Sequence, residues 1–232
     1  FLNNLKKENN QKIFHFLPCT EGITPNGKSI SLGFSCYMIK LLYIHDEWNS
    51  LDPVTRLDWS DYLNSYQTTN ESFPNNSYID QNLLKIHNKI NFKKDTKYLI
   101  KSVLNTTRIK KYMSKKTFLE EIIFAETKQA ISTLKQINMK SKFEYVPRYS
   151  TENELITYLN KLDWSKPWAS GAQFANICAT IPNSKETKNL INILKEFSNS
   201  LVNPEVGGYF KNQTPSDKEL VNGSMKIISG LD

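Results

Sequence analysis

No apolar run in this 232-residue chain approaches the roughly 20 residues that a membrane-spanning helix needs. The opening Phe1-Leu-Asn-Asn-Leu-Lys-Lys lacks the layout of a secretory signal. Cysteine is scarce. Cys19, Cys36 and Cys178 form no C-x-x-C pair, and an odd number argues against a disulfide framework. Cys36 and Cys178 lie in apolar helical runs, where a thiol is normally buried and reduced, so a cytoplasmic location is expected. Histidine is as scarce, with only His15, His45 and His87. A catalytic zinc needs three convergent protein ligands, so neither a metal nor another cofactor is expected. H-E-x-x-H, G-x-S-x-G and a Gly-rich phosphate loop are all missing, which removes the usual signatures of zinc proteases, serine hydrolases and P-loop proteins. The chain does not open on Met and stops inside an apolar-periodic stretch, so it is expected to belong to a longer protein.

What is present is helix signal. Pro167 cannot sit inside a helix but can open one. The following run to Ile181 is apolar or small on nearly every side, the mark of a helix buried all round. Residues 32–44 have the same character, with His45 placed to interact with the C-terminal end. Asp52 caps a further helix with Pro53 at its first position, and Leu57, Trp59, Tyr62, Leu63 and Tyr66 make it amphipathic. Residues 67–80 read as an Asn-, Ser- and Thr-rich loop, and 203–210 as a turn. Residues 121–137 carry helical spacing. Thr151 with Glu154, and Ser216 with Glu219, are capping boxes. Leu190, Ile193, Leu194 and Phe197 give the i, i+3, i+4, i+7 stripe of another amphipathic helix. Residues 1–30 form a polar N-terminal arm tacked down by Phe14, Phe16 and Leu17.

Charge is local. Residues 89–116 hold ten Lys or Arg and one acid, Asp95. That stretch carries +9 of a net +7, leaving −2 for the rest of the chain. Interleaved apolar residues predict a basic helical insertion here. Its lysines are scattered over no single stripe, so it reads either as a solvated face or, through Lys110, Lys111, Lys115 and Lys116, as a surface for a polyanion. Nucleic acid is not the expected partner, because no recognition motif accompanies the charge; a protein partner stays open.

Buried-looking helices centre near residues 38, 129, 174 and 225, and amphipathic ones near 60, 156 and 192. Such alternation, two helices per unit, marks a helical-repeat architecture. The stretch Trp59-x-x-Tyr-Leu-x-x-x-Gln67, with the turn over 75–80, resembles an outer helix and its turn in α/α toroids. Glu126-Thr-Lys-Gln-Ala-Ile131, Gly171-Ala-Gln-Phe174, Gly207-Gly-Tyr-Phe210 and Val221-Asn-Gly-Ser-Met-Lys226 resemble their inner-helix starts and Gly-aromatic turns. The group is that of terpenoid cyclases, protein prenyltransferase β subunits and α/α-barrel polysaccharide enzymes. The resemblance implies an all-α single domain over residues 1–232, an incomplete toroid of about four helix pairs, with inner and outer helices alternating. It does not imply a reaction, since one fold hosts many. The cyclase clusters Asp-x-Asp-Asp and Asp-Asp-x-x-Asp are absent.

In a toroid the N-terminal ends of inner helices face a common cavity. Phe34, Gln129, Gln173, Asn176, Glu219 and Asn222 would then line it, with Trp164 and Trp168 as a platform for a ring. Glu126 is the expected acid–base group, because a carboxyl in a partly dry cavity has a raised pKa; Tyr37 is a second proton-transfer candidate. The alternatives are that Glu126 and Glu219 complement their own helix dipoles and that the tryptophans fill helix corners. The expected function is binding of a small or extended organic ligand, such as an oligosaccharide, with carbohydrate lyase, hydrolase or transferase chemistry if the chain is an enzyme. A non-catalytic module acting through residues 89–116 is the other reading.

Overall fold

The computed structural model describes residues 14–88, 114–182, 184–185 and 187–231. Among them the order is α1 (Pro25–Ser29), α2 (Leu32–Ile44), α3 (Pro53–Asn64), β1 (Gln67–Thr68), β2 (Ser77–Tyr78), α4 (Gln81–Asn88), α5 (Lys115–Gln136), α6 (Glu152–Lys161), α7 (Pro167–Thr180), α8 (Lys188–Asn199), β3 (Val202–Asn203), β4 (Gly208–Tyr209) and α9 (Asp217–Leu231). The chain is thus mostly helical. It divides into two compact units, Phe1–Glu144 and Tyr145–Asp232.

The local signals act as their chemistry requires. The Asp52 carboxylate accepts the Thr55 N–H at 2.9 Å ahead of Pro53. Thr151 and Glu154 close their capping box, and His45 is the C-cap of α2. Ser216 and Glu219 do not close theirs. The Ser216 hydroxyl accepts the Glu219 N–H, but the Glu219 carboxylate reaches the Trp168 N–H at the start of α7, 3.1 Å away. Pro167 leaves α7 without a side-chain cap, and a distant carboxylate satisfies its first free donor instead. The start of α2 is served the same way. Asp80, 2% exposed, accepts the N–H groups of Ser31 (2.7 Å) and Leu32 (3.2 Å).

The two stretches expected as loop and turn contain short antiparallel ribbons. Gln67 pairs with Tyr78 and Thr68 with Ser77; Val202 pairs with Tyr209 and Asn203 with Gly208. In each ribbon the residue before the second strand, Asn76 or Gly207, is left-handed (φ 63° and 67°), a conformation Gly and Asn tolerate best.

Both units use one motif. A first helix, an amphipathic helix, a ribbon and a last helix come in that order as α2–α3–β1β2–α5, with α4 between the ribbon and α5, and as α7–α8–β3β4–α9. The first three elements of the second copy begin 135 residues after those of the first (167 against 32, 188 against 53, 202 against 67). The bonding repeats with them. The hydroxyls of Ser65 and Ser200 donate to the Tyr62 and Phe197 carbonyls, each at 2.7 Å. Ile79 N–H donates to Tyr66 O and Phe210 N–H to Leu201 O, each at 2.9 Å. Ser35 and Ser170 tie the first turn of α2 and α7 to the preceding backbone, at Phe14 O and Asp163 O.

Within each unit the first and last helices run in the same sense. In the second unit the approach is close. A Cβ on Gly223 would lie 2.5 Å from Pro167 Cβ, and one on Gly230 would lie 2.8 Å from Ala175 Cα, so contact positions rise together along α7 and α9. In the first unit Gly33 faces Glu126 and Lys40 Nζ reaches the Ser132 hydroxyl at 3.4 Å, which gives the same sense for α2 and α5. The cores are aromatic and aliphatic: Trp59, Leu63, Tyr78 and Ile79 in the first unit, Trp164, Phe174, Leu194 and Leu201 in the second.

Candidate functional site

Helix α3 buries Trp59 and Leu63, so Asp58, Asp61 and Tyr62 fall on its other side. That side forms one wall of a cleft of about 650 Å³ in the first unit, a volume in the range of small-molecule sites. Tyr66 and Asp80 continue the wall, and Phe14 of the N-terminal arm closes one end. Phe14 is held there by aromatic contact with Trp59 (4.5 Å between centroids) and Tyr62 (5.5 Å).

The polar groups are ordered. The Tyr62 and Tyr66 hydroxyls lie 2.7 Å apart. Burial, helped by the negative charge of Asp80, pushes both phenols above their ordinary range, so both are neutral at physiological pH. The His15 ring stands 5.4 Å from the Tyr62 ring, with Nδ1 3.3 Å from the Ser31 hydroxyl. Asp80 spends its carboxylate on backbone donors at the start of α2 and on the Asn82 N–H (3.0 Å). Asp58 and Asp61 are exposed and make no ion pair among the described residues. No lysine or arginine lines the cleft among those residues. The result is an acidic, aromatic cleft in a chain of net charge +7.

Behind Asp80, between α2 and α5, lies Glu126. A Cβ on Gly33 would be 3.7 Å from its Oε1. Its Oε2 is buried and has no hydrogen-bond partner among the described residues, and neither has Gln129 Nε2, one turn further along α5. Burial raises the Glu126 carboxyl to about 7; the nearby Asp80 charge adds to the rise, and the Asp80 N–H opposes it. Cys36, on the facing side of α2, is pushed up to about 12 by burial. That thiol is neutral and inert.

The other residues singled out from the sequence are distributed as follows. In the first unit Phe34 is half-buried and Tyr37 is 59% exposed. In the second, Trp164 is 4% exposed; its Nε1–H donates to Leu159 O at 2.8 Å and its ring meets Phe174 and Phe197, so it fills a corner of the core. Trp168 is 37% exposed with Lys218 Nζ 5.2 Å from its ring centroid. Gln173 is half-buried, and Asn176 is buried with its carbonyl accepting the Thr180 hydroxyl. Glu219 holds the Trp168 amide, and Asn222 Nδ2 donates back to Lys218 O. Lys110 and Lys111, with residues 89–113, lie outside the described residues. Lys115 and Lys116 open α5, Lys116 4.0 Å from Glu120. Among the described residues no helix is long and apolar enough to cross a membrane, and no group of three or more His, Cys, Asp or Glu could hold a metal ion.

No family model, curated protein or solved structure matches the chain. The site therefore rests on its own geometry. Sequence reasoning passes over Asp58 and Asp61 because the polar side of an amphipathic helix reads as a solvated face, over Tyr66 because it reads as part of the helix's apolar stripe, and over Asp80 because it falls in a stretch read as loop. The signal that could have found them is the second copy of the motif, where the same positions carry Ile193, Glu196, Leu201 and Lys211.

Proposed function

We propose that the protein is a ligand-binding helical-repeat protein of the α/α-toroid type, and that the cleft of its first unit takes a small organic molecule. The observation that carries this reading is the recurrence of the motif. The second unit forms the same turn, with the same serine-hydroxyl and ribbon backbone hydrogen bonds, from Phe197 and Leu201 where the first has Tyr62 and Tyr66. The backbone therefore does not require Tyr62 and Tyr66 to be polar, and polar groups in a cleft that the fold does not need are available to a ligand. The same-sense packing of α2 with α5 and of α7 with α9 supports the toroid-type reading. A screen by protein-observed NMR, covering sugars, amines, carboxylic acids and isoprenoids, tests the proposal. At least one class should move the Tyr62 and Tyr66 resonances and lose that effect in Tyr66→Leu. Hits confined to other surfaces would overturn it.

Glu126 favours a second reading, in which the first unit is an enzyme and this carboxyl is its acid–base group. A carboxyl poised near 7, with one oxygen unpartnered, suits proton transfer at neutral pH. Glu126→Gln should then abolish turnover of the compound the cleft binds without weakening its binding; equal losses in both would contradict a chemical role.

A further inference from the structure

The two copies of the motif, placed in register, narrow the class of ligand, given the proposed role of the first-unit cleft as the ligand site. Tyr62 and Phe197 are equivalent, each at the donor-bonded carbonyl beside Ser65 or Ser200. Phe14 packs on Tyr62 at 5.5 Å as Trp164 packs on Phe197 at 5.5 Å. Asp80 and Lys211 are equivalent, each one residue after the ribbon amide that bonds Tyr66 or Leu201. In the second unit Lys211 Nζ lies 4.9 Å from the centroid of the Phe197 ring, a cation–π pair. The second copy thus supplies its own ammonium to the aromatic wall.

The first copy keeps the ring and reverses the charge. Asp58, Asp61 and Asp80 stand where the second has Ile193, Glu196 and Lys211. Three carboxylates replace a set of zero net charge, and no lysine or arginine of the described residues lines the cleft. His15 is the one group there able to carry a positive charge among the described residues, and its ring packs on Tyr62. We infer that the first-unit cleft binds a small organic cation, a primary ammonium compound, whose charged head takes against Tyr62 the position that Lys211 Nζ takes against Phe197. Asp58 and Asp61 set the charge specificity. Asp80 adds field while holding the start of α2.

The probe is spermidine, with maltotriose as the neutral counterpart, titrated against the protein and followed at the Tyr62 and Tyr66 ring resonances. Spermidine should move those resonances at concentrations where maltotriose does not. Its affinity should fall as salt rises, because exposed charges are screened. The double variant Asp58→Asn, Asp61→Asn should weaken it roughly tenfold, the sum expected of two exposed charge contacts, with an unchanged circular dichroism spectrum. If maltotriose binds at the cleft and spermidine does not, the cation assignment fails and the cleft reading stands. If spermidine moves only other residues, or binds the double variant as well as the parent, the assignment also fails. If neither probe moves the cleft, the cation assignment fails, and the cleft reading falls only if the wider screen also leaves Tyr62 and Tyr66 unmoved.

Discussion

The Tyr62 and Tyr66 hydroxyls meet at 2.7 Å, Tyr62 in the last turn of α3 and Tyr66 two residues past its end, with their rings close to perpendicular (85°). The pair forms the polar centre of the cleft wall, and Tyr62 is also close to the hydroxyls of Ser31 and Ser35. Removing one hydroxyl leaves the other half-buried with a partner missing, while removing both removes the need. A double-mutant cycle with Tyr62→Phe and Tyr66→Phe, read by urea denaturation, should give a coupling of about 0.5–1.5 kcal/mol. A coupling of zero would mean that the two phenols do not support each other.

Glu126 should make stability fall as pH rises. Its folded-state pKa, about 7, lies above the ordinary 4.5. The favourable contribution is fully present below about 4.5 and is lost as pH climbs through about 7. The loss is at most roughly 3 kcal/mol, at 1.36 kcal/mol per unit. Glu126→Gln removes a titrating group and keeps the shape. The difference in stability between the variant and the parent should therefore grow in the variant's favour between those limits. A difference that does not change with pH would show that this carboxyl is well solvated.

The three thiols should separate cleanly. Cys19 is exposed, while burial pushes Cys36 and Cys178 each up to about 12. A thiol needs its thiolate form to react. Ellman's reagent at pH 8 should titrate Cys19 quickly and the other two only on unfolding. Three fast equivalents would contradict the packing of α2 and α7.

The α7–α9 contact leaves no room at Gly223, where a Cβ would lie 2.5 Å from Pro167 Cβ and 2.6 Å from the Pro167 carbonyl carbon. Backbone on the far side cannot swing away as a side-chain tip could. Gly223→Ala should cost about 1–3 kcal/mol by overpacking, even though alanine is the better helix former. A neutral or stabilising effect in thermal unfolding would mean that the helices sit further apart.

Much of the fold is legible in the sequence because its signals are local. Asp52-Pro53, Thr151 with Glu154, and Pro167 each fix a helix start through residues within one turn. The start of α2 is not legible, because its cap is Asp80, 48 residues away from Leu32. The ribbons are not legible either, since strands of two residues carry no periodicity. The 135-residue recurrence is hidden for a related reason. Over 32–68 and 167–203 only Ser35/Ser170, Asn64/Asn199 and Ser65/Ser200 are identical. In the structure the hydroxyls of Ser35/Ser170 and Ser65/Ser200 donate to neighbouring backbone carbonyls. Glu126 is legible as a polar residue in an apolar helix, whereas the cleft residues become distinctive only against their apolar counterparts in the second unit.

The most direct test replaces the cleft wall by its second-unit counterpart, in the variant Asp58→Ile, Tyr62→Phe, Tyr66→Leu, and measures thermal unfolding. The second unit shows that this backbone accepts such residues, so the expected result is one cooperative transition within about 4 °C of the parent, under roughly 1 kcal/mol for a chain of this size. A drop well beyond that, or loss of cooperative unfolding, would show that Asp58, Tyr62 and Tyr66 serve the fold. The cleft would then lose its claim to be a ligand site.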